Sequence, residues 1–95
     1  MAIGQVLQFS GAGIEKYDAV QSALGWDGDT GAPEGLQAHA AGPTEAGFCV
    51  IDVWESEAAW DTFFADRLMP AFQEVGDVPQ PAVTRFEVHS TYLRH

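Results

Sequence analysis

The stretch Leu36-Gln37-Ala38-His39-Ala40-Ala41-Gly42-Pro43-Thr44-Glu45-Ala46-Gly47-Phe48-Cys49-Val50-Ile51-Asp52-Val53-Trp54 decides the fold. Phe48 to Trp54 is dense in β-branched and aromatic residues, the composition of a strand. Gly42 to Gly47 carries turn chemistry, and Leu36 to Ala41 before it alternates as a second strand. The whole is a hairpin. Phe48 to Trp54 is apolar on both sides, so its register must come from the turn. Pairing Gly42 with Gly47 sets Ala38 opposite Ile51 and Gln37 opposite Asp52. One face then holds Leu36, Ala38, Ala40, Cys49, Ile51 and Val53. The other holds Gln37, His39, Phe48, Val50, Asp52 and Trp54. A carboxylate buried without a partner is costly. The expectation is therefore that helices cover the small apolar face and that the Asp52 face lies outside.

Working outward, Ile3 to Phe9 reads as a first strand, broken by Ser10-Gly11-Ala12-Gly13. Ile14 to Leu24 has Tyr17, Val20 and Leu24 at helical spacing, with Gly25 as its stop. Asp27 to Gly35 is a loop. After the hairpin, Ser56 is a good helix N-cap. Trp60, Phe63, Phe64, Leu68, Ala71, Phe72 and Val75 then share one helical face, interrupted by Arg67. Pro70 predicts a break near Met69. Gly76 to Ala82 is a loop, and Val83 to Thr91 is a fourth strand that separates Phe86 and Val88 from Arg85, Glu87 and His89. The order β-α-β-β-α-β is the ferredoxin-like α+β pattern, an antiparallel four-stranded sheet with helices on one face, in one domain spanning residues 1–95.

Composition narrows the function. The 95 residues carry 14 acidic against 4 basic side chains, a formal charge of −10. Lys16, Arg67, Arg85 and Arg94 are scattered, so neither nucleic acid nor an anionic membrane surface is an expected partner. No signal-peptide pattern and no apolar run near the roughly 18 residues of a membrane span is present, which points to a cytoplasmic protein. The one cysteine, Cys49, lies in an apolar run and reads as a small hydrophobe. The presumed outer face mixes Phe48, Val50 and Trp54 with Gln37, His39, Asp52, Glu87 and His89. It is too apolar to leave in water as one patch and too polar for a plain core. A second sheet, from a second copy of the chain, would cover it.

Four segments carry a resemblance: Glu34-Gly35-Leu36-Gln37-Ala38-His39 with Gly42-Pro43; Val53-Trp54-Glu55-Ser56; Arg67-Leu68-Met69-Pro70-Ala71; and Phe86-Glu87-Val88-His89. In these the chain resembles the dimeric α/β-barrel superfamily, which includes the antibiotic-biosynthesis-monooxygenase-like proteins. The resemblance implies a homodimer with sheets face to face. It also implies a pocket for a small aromatic ligand, and in some members oxygenation of aromatic polyketides without a cofactor. Other members isomerise lactones, degrade haem or have no known activity. The haem-degrading branch uses an Asn, a Trp and a helical His. This chain has no Asn and no His in a predicted helix, although Trp54 and Trp60 are present.

The candidate chemistry gathers on His39 and His89, either of which can take a proton near neutral pH, with Asp52 or Glu87 to orient it. The alternative is that these groups only hydrogen-bond between sheets or subunits. Trp54, Trp60, Phe64, Phe72 and Tyr17 are candidates for a substrate wall, or are simply core. His39, Asp52 and His89 lack metal-ligand spacing, so no metal is expected. The serines sit in no nucleophile elbow, Gly11-Ala12-Gly13 lacks the dinucleotide pattern, and terminal His95 is expected to fray. Two readings follow: a cofactor-independent tailoring enzyme of monooxygenase or isomerase type, acting on an aromatic or polyketide-like substrate, or a non-catalytic homodimeric ligand-binding or accessory protein.

Overall fold

The computed structural model describes residues 1–92; Arg94 and the expected fraying at His95 lie outside them. The elements are β1 (Ile3–Ser10), α1 (Ile14–Leu24), β2 (Leu36–Pro43), β3 (Gly47–Trp54), α2 (Glu57–Phe63), a π-helical turn (Phe64–Leu68), α3 (Met69–Val75) and β4 (Ala82–Glu87). The strands form one antiparallel sheet in the order β2-β3-β1-β4. This is the ferredoxin-like α+β arrangement.

Local chemistry sets the element ends. Gly25 closes α1 in the left-handed conformation (φ 71°), where a side chain would be strained. Ser56 caps α2 by accepting the Ala59 N–H at 3.1 Å. The break expected near Met69 is instead a five-residue π-helical turn running straight into α3, with Pro70 in the first turn of that helix. A wider turn ahead of the proline relieves its clash with the preceding carbonyl and absorbs its missing N–H. Strand β4 is shorter than expected because Ile3 pairs with Glu87 at the start of β1, and beyond it only the Val88 N–H reaches the Ala2 carbonyl.

The hairpin closes more tightly than the glycines suggest. Thr44 and Gly47 exchange both backbone hydrogen bonds, at 2.9 and 3.1 Å, leaving Glu45-Ala46 as a two-residue loop. The register therefore moves by two from the Gly42–Gly47 pairing: Gly42 faces Cys49 and His39 faces Asp52, with an irregularity at Gln37. A shift of two preserves which residues share a face from Ala38 onward, whereas the irregularity moves Leu36, expected beside Ala38 and Ala40, to the Trp54 side, where it packs on the core.

The assignment of the faces themselves is reversed. Helices cover Phe48, Val50, Asp52 and Trp54, together with Ile3 and Leu7 of β1. Val20, Trp60, Phe63, Leu68 and Ala71 complete the core from the helical side. The small apolar set, Ala38, Ala40, Cys49, Ile51 and Val53, lies on the outer face, where Ile51 is 50% exposed. Two physical reasons account for this. Phe48, Val50 and Trp54 remove more apolar area from water than the small set. Asp52 is also not buried alone: its carboxylate is fully engaged, so the penalty that argued against burying it is largely offset.

Candidate functional site

The register aligns one polar residue per strand beneath the helices. His39 of β2 faces Asp52 of β3, Asp52 faces Gln5 of β1, and Gln5 faces Arg85 of β4. His39 Nδ1 lies 2.6 Å from Asp52 Oδ1, and Trp54 Nε1 donates to Asp52 Oδ2 at 3.3 Å. A carboxylate accepts only, so the proton of this pair sits on Nδ1 and His39 Nε2 is left as an acceptor. Helix α1 brings the Tyr17 hydroxyl to that nitrogen at 2.7 Å. The result is a continuous relay, Tyr17 O–H to His39 to Asp52, with Trp54 fixing the far carboxylate oxygen. Burial first, then the neighbouring carboxylates of Asp52 and Asp18, pushes the Tyr17 phenol above its ordinary pKa. It therefore stays protonated and donates to Nε2 across the neutral range.

The other half of the row is less complete. Arg85 donates to Gln5 Oε1 from Nε and one terminal nitrogen, at 3.2 and 3.1 Å, and reaches Glu57 at 3.3 Å. Gln5 is fully buried, and its Nε2 has no hydrogen-bond partner among the described residues.

Aromatic rings surround the relay. Tyr17 stacks on Phe48 with centroids 4.7 Å apart, and Trp54 meets Trp60 edge-on at 5.6 Å. Trp26, in the segment between α1 and β2, lies 4.8 Å from the His39 ring. A partly open cavity of about 50 Å³ lies among His39, Asp52, Trp54, Trp60, Trp26 and Phe63. Phe63 also lines an open groove of about 700 Å³ outside, bordered by Pro33, Glu34, Glu55, Ser56 and Arg67. Arg67, the charge on the apolar helical face, donates to the carbonyls of Leu24 (3.1 Å) and Gly31 (2.7 Å) and packs 5.6 Å from the Phe63 ring centroid.

The expected site residues are thus only partly brought together. His39, Asp52, Trp54, Trp60 and Tyr17 converge. Phe64 sits behind Trp60 at 5.5 Å, and Phe72 packs on Phe9 beside a separate 50 Å³ cavity. His89 is exposed beyond the end of β4, not on a shared face with His39. That face, moreover, is the helix-covered one and not the outer one. Three participants were missed. Gln5 stands out in retrospect as the one polar side chain alternating with Ile3, Leu7 and Phe9. Arg85 follows from the same parity, and Trp26 is a large ring in an otherwise Gly- and Asp-rich loop. Among the described residues no group of three or more His, Cys, Asp or Glu is placed to hold a metal ion.

No protein-family profile matches the chain, and no curated protein matches it in sequence. Solved structures do match. SnoaB, a cofactor-independent oxygenase from Streptomyces nogalater, is similar over 95% of this chain and 93% of its own, at 13% identity and a TM-score of 0.59. A monooxygenase from the gene ActVA-Orf6 of Streptomyces coelicolor, solved in complex with nanaomycin D, is similar over 99% and 92%, at 19% identity and a TM-score of 0.56. A structural-genomics protein, YJCS, is similar over 93% and 97%, at 14% identity and a TM-score of 0.60.

The chain shares the ferredoxin-like α+β fold of these structures. Within this fold, the Tyr17–His39–Asp52 relay lies in the layer between the sheet and the helices. Among the described residues, no helix is long and apolar enough to cross a membrane.

Proposed function

We propose that the chain is a cofactor-independent tailoring enzyme that takes a proton from a phenol or enolisable ketone of an aromatic, polyketide-like substrate. The observation that carries this reading is the relay. Asp52 fixes the tautomer that leaves His39 Nε2 as a base, and the His39 side chain helps to line an aromatic-walled cavity. A substrate hydroxyl that takes the place of the Tyr17 O–H, or passes its proton through that phenol, is deprotonated by Nε2. The resulting anion reacts with dioxygen or reprotonates elsewhere as an isomer. The fold shared with oxygenases supports the oxygen branch.

The outer face has its own role in this reading. Ile51 and Phe86 are 50% and 53% exposed there, beside Cys49 and Val53. The proposal is that a second copy covers this face to form a homodimer, because an apolar patch of this kind marks an association surface.

A second reading has an observation in its favour. Both His39 nitrogens are already occupied, and the adjoining cavity of about 50 Å³ has room for water but not for an aromatic ring. On that reading the relay is structural and the chain is a binding or accessory protein. Oxygen uptake and product mass spectra with a panel of anthrones, naphthols and hydroquinones separate the two. The enzyme reading expects turnover that falls by about 10²-fold or more in His39→Ala, the usual worth of a general base, with His89→Ala unchanged. No turnover and no ligand-induced thermal stabilisation across the panel favours the accessory role.

A further inference from the structure

The cavity beside His39 is small because the protein fills the space with its own ring. Trp26 is half-buried and packs against the imidazole with centroids 4.8 Å apart and ring planes tilted by 53°. It is also the one residue that the segment between α1 and β2 contributes to the cavity wall. The other walls are sheet and helix residues whose rings are locked in the core, Trp54 above all at 1% exposure. The Trp26 indole is held differently. Its N–H is donated to the carbonyl of Gly28, two residues along the same loop, at 2.8 Å. No side chain of the sheet or helices bonds to it.

The loop is in turn tied to the helical layer by Arg67. One guanidinium nitrogen holds the carbonyls of Leu24 and Gly31, on either side of Trp26. The loop's turns rest on Gly25, Gly28, Gly31 and Gly35, all at positive φ. Asp27 and Thr30 close it internally by backbone hydrogen bonds of 2.8 and 2.9 Å. The loop is thus a small self-bonded unit, pinned to the helices by Arg67 and carrying one ring over the base.

We propose that Trp26 is the ring-recognition and gating residue of this site: its indole occupies the place over His39 that a flat aromatic ligand of one or two rings takes. The ligand enters when the Gly25–Gly35 segment lifts that indole away against the restraint of Arg67. This rests on the reading of His39 as the reacting base, but it is tested by binding alone. The ligand class follows from the occupant: a planar, mostly apolar ring system with one hydrogen-bond donor, since His39 Nε2 is an acceptor. Removing the indole leaves a space comparable to engineered cavities on the order of 150 Å³ that take up benzene.

The test is calorimetric titration with indole and with 1-naphthol. Trp26→Ala is expected to bind both at least about tenfold more tightly than the unaltered chain, a gain of about 1.4 kcal/mol. Arg67→Met, which keeps the indole and frees the loop, is expected to show a smaller gain in the same direction. A folded Trp26→Ala protein that binds neither probe better than the unaltered chain overturns the proposal. Should Trp26→Ala not fold, nuclear magnetic resonance on the unaltered chain decides. Saturating 1-naphthol must shift both the Trp26 indole N–H and the His39 ring, and unmoved resonances overturn the proposal. Tight binding without turnover leaves this inference standing and removes the enzyme reading. Turnover without any effect at Trp26 removes this inference alone.

Discussion

The two faces of the sheet differ in a way that inverts their sequence reading. Residues 51 and 52 are neighbours in β3. Ile51 is half exposed on the outer face, whereas Asp52 is 5% exposed beneath the helices. Hydropathy alone would place them the other way round. What decides is the company each keeps. Asp52 shares its face with Phe48, Val50 and Trp54, which together bury far more area than Cys49, Ile51 and Val53. Its own charge is met by His39 and the Trp54 indole. A strand that is apolar on both sides goes with its largest rings, and a single carboxylate follows if the fold supplies donors.

The largest effect that breaks this comparison is expected at Trp54. Trp54→Ala removes the most deeply buried ring of the core and the donor to Asp52 Oδ2. It should cost about 3–5 kcal/mol in chemical denaturation, the usual range for Trp→Ala in a core. Asp52→Ala comes next, because it strands the His39 Nδ1–H and the Trp54 N–H together; about 1–3 kcal/mol is expected from unpaired buried donors. A loss below about 0.5 kcal/mol, the range of an ordinary surface change, would mean that Asp52 is not the anchor described here.

The outer face is broken by Ile51→Asp. In a dilute monomer this substitution should change stability by no more than about 0.5 kcal/mol. In the proposed dimer it places a charge at an apolar interface and should dissociate it, which light scattering at micromolar concentration reads directly. A chain that scatters as a monomer of about 10 kDa before any substitution removes the dimer proposal.

The same contrast explains how much was legible beforehand. Element order, the full extent of α1 and the Ser56 cap all followed from local rules: spacing, a stop glycine, a capping hydroxyl. Residues that share a strand face were also grouped correctly except Leu36, because parity is a local property and the irregularity at Gln37 breaks it there. Which face the helices choose is a global sum over ring sizes and partners, and no single strand states it. The site shows the same division. His39 and Asp52 are recognisable as candidate chemistry, but their pairing depends on a two-residue hairpin loop that the flanking Gly42 and Gly47 obscure. His89 was attractive only while β4 was expected to run to Thr91. Trp26 was passed over because its loop reads as surface.

The smallest expected effect concerns the phenol at the edge of the relay, and its sign can be worked out. The folded-state pKa of Tyr17 is raised by burial and by Asp52 and Asp18, whereas the unfolded phenol titrates near its ordinary value of 10.0. Below that value both states keep the proton, and stability is independent of this group. Above it the unfolded chain releases a proton that the folded chain retains, so stability falls with rising pH until the folded-state pKa is passed. Tyr17→Phe lacks the group and should lack that decline. Melting temperatures of the two proteins, compared from pH 8 to pH 11 at the same ionic strength, should hold a constant separation up to about pH 10, the ordinary tyrosine value, and then converge. Tyr92, 78% exposed, provides the internal control: Tyr92→Phe should follow the unaltered chain throughout. A separation that instead widens as pH rises below about pH 10, the ordinary tyrosine value, would mean that the folded phenol ionises before the unfolded one, and that Tyr17 is a proton acceptor rather than the donor to His39 that the relay requires.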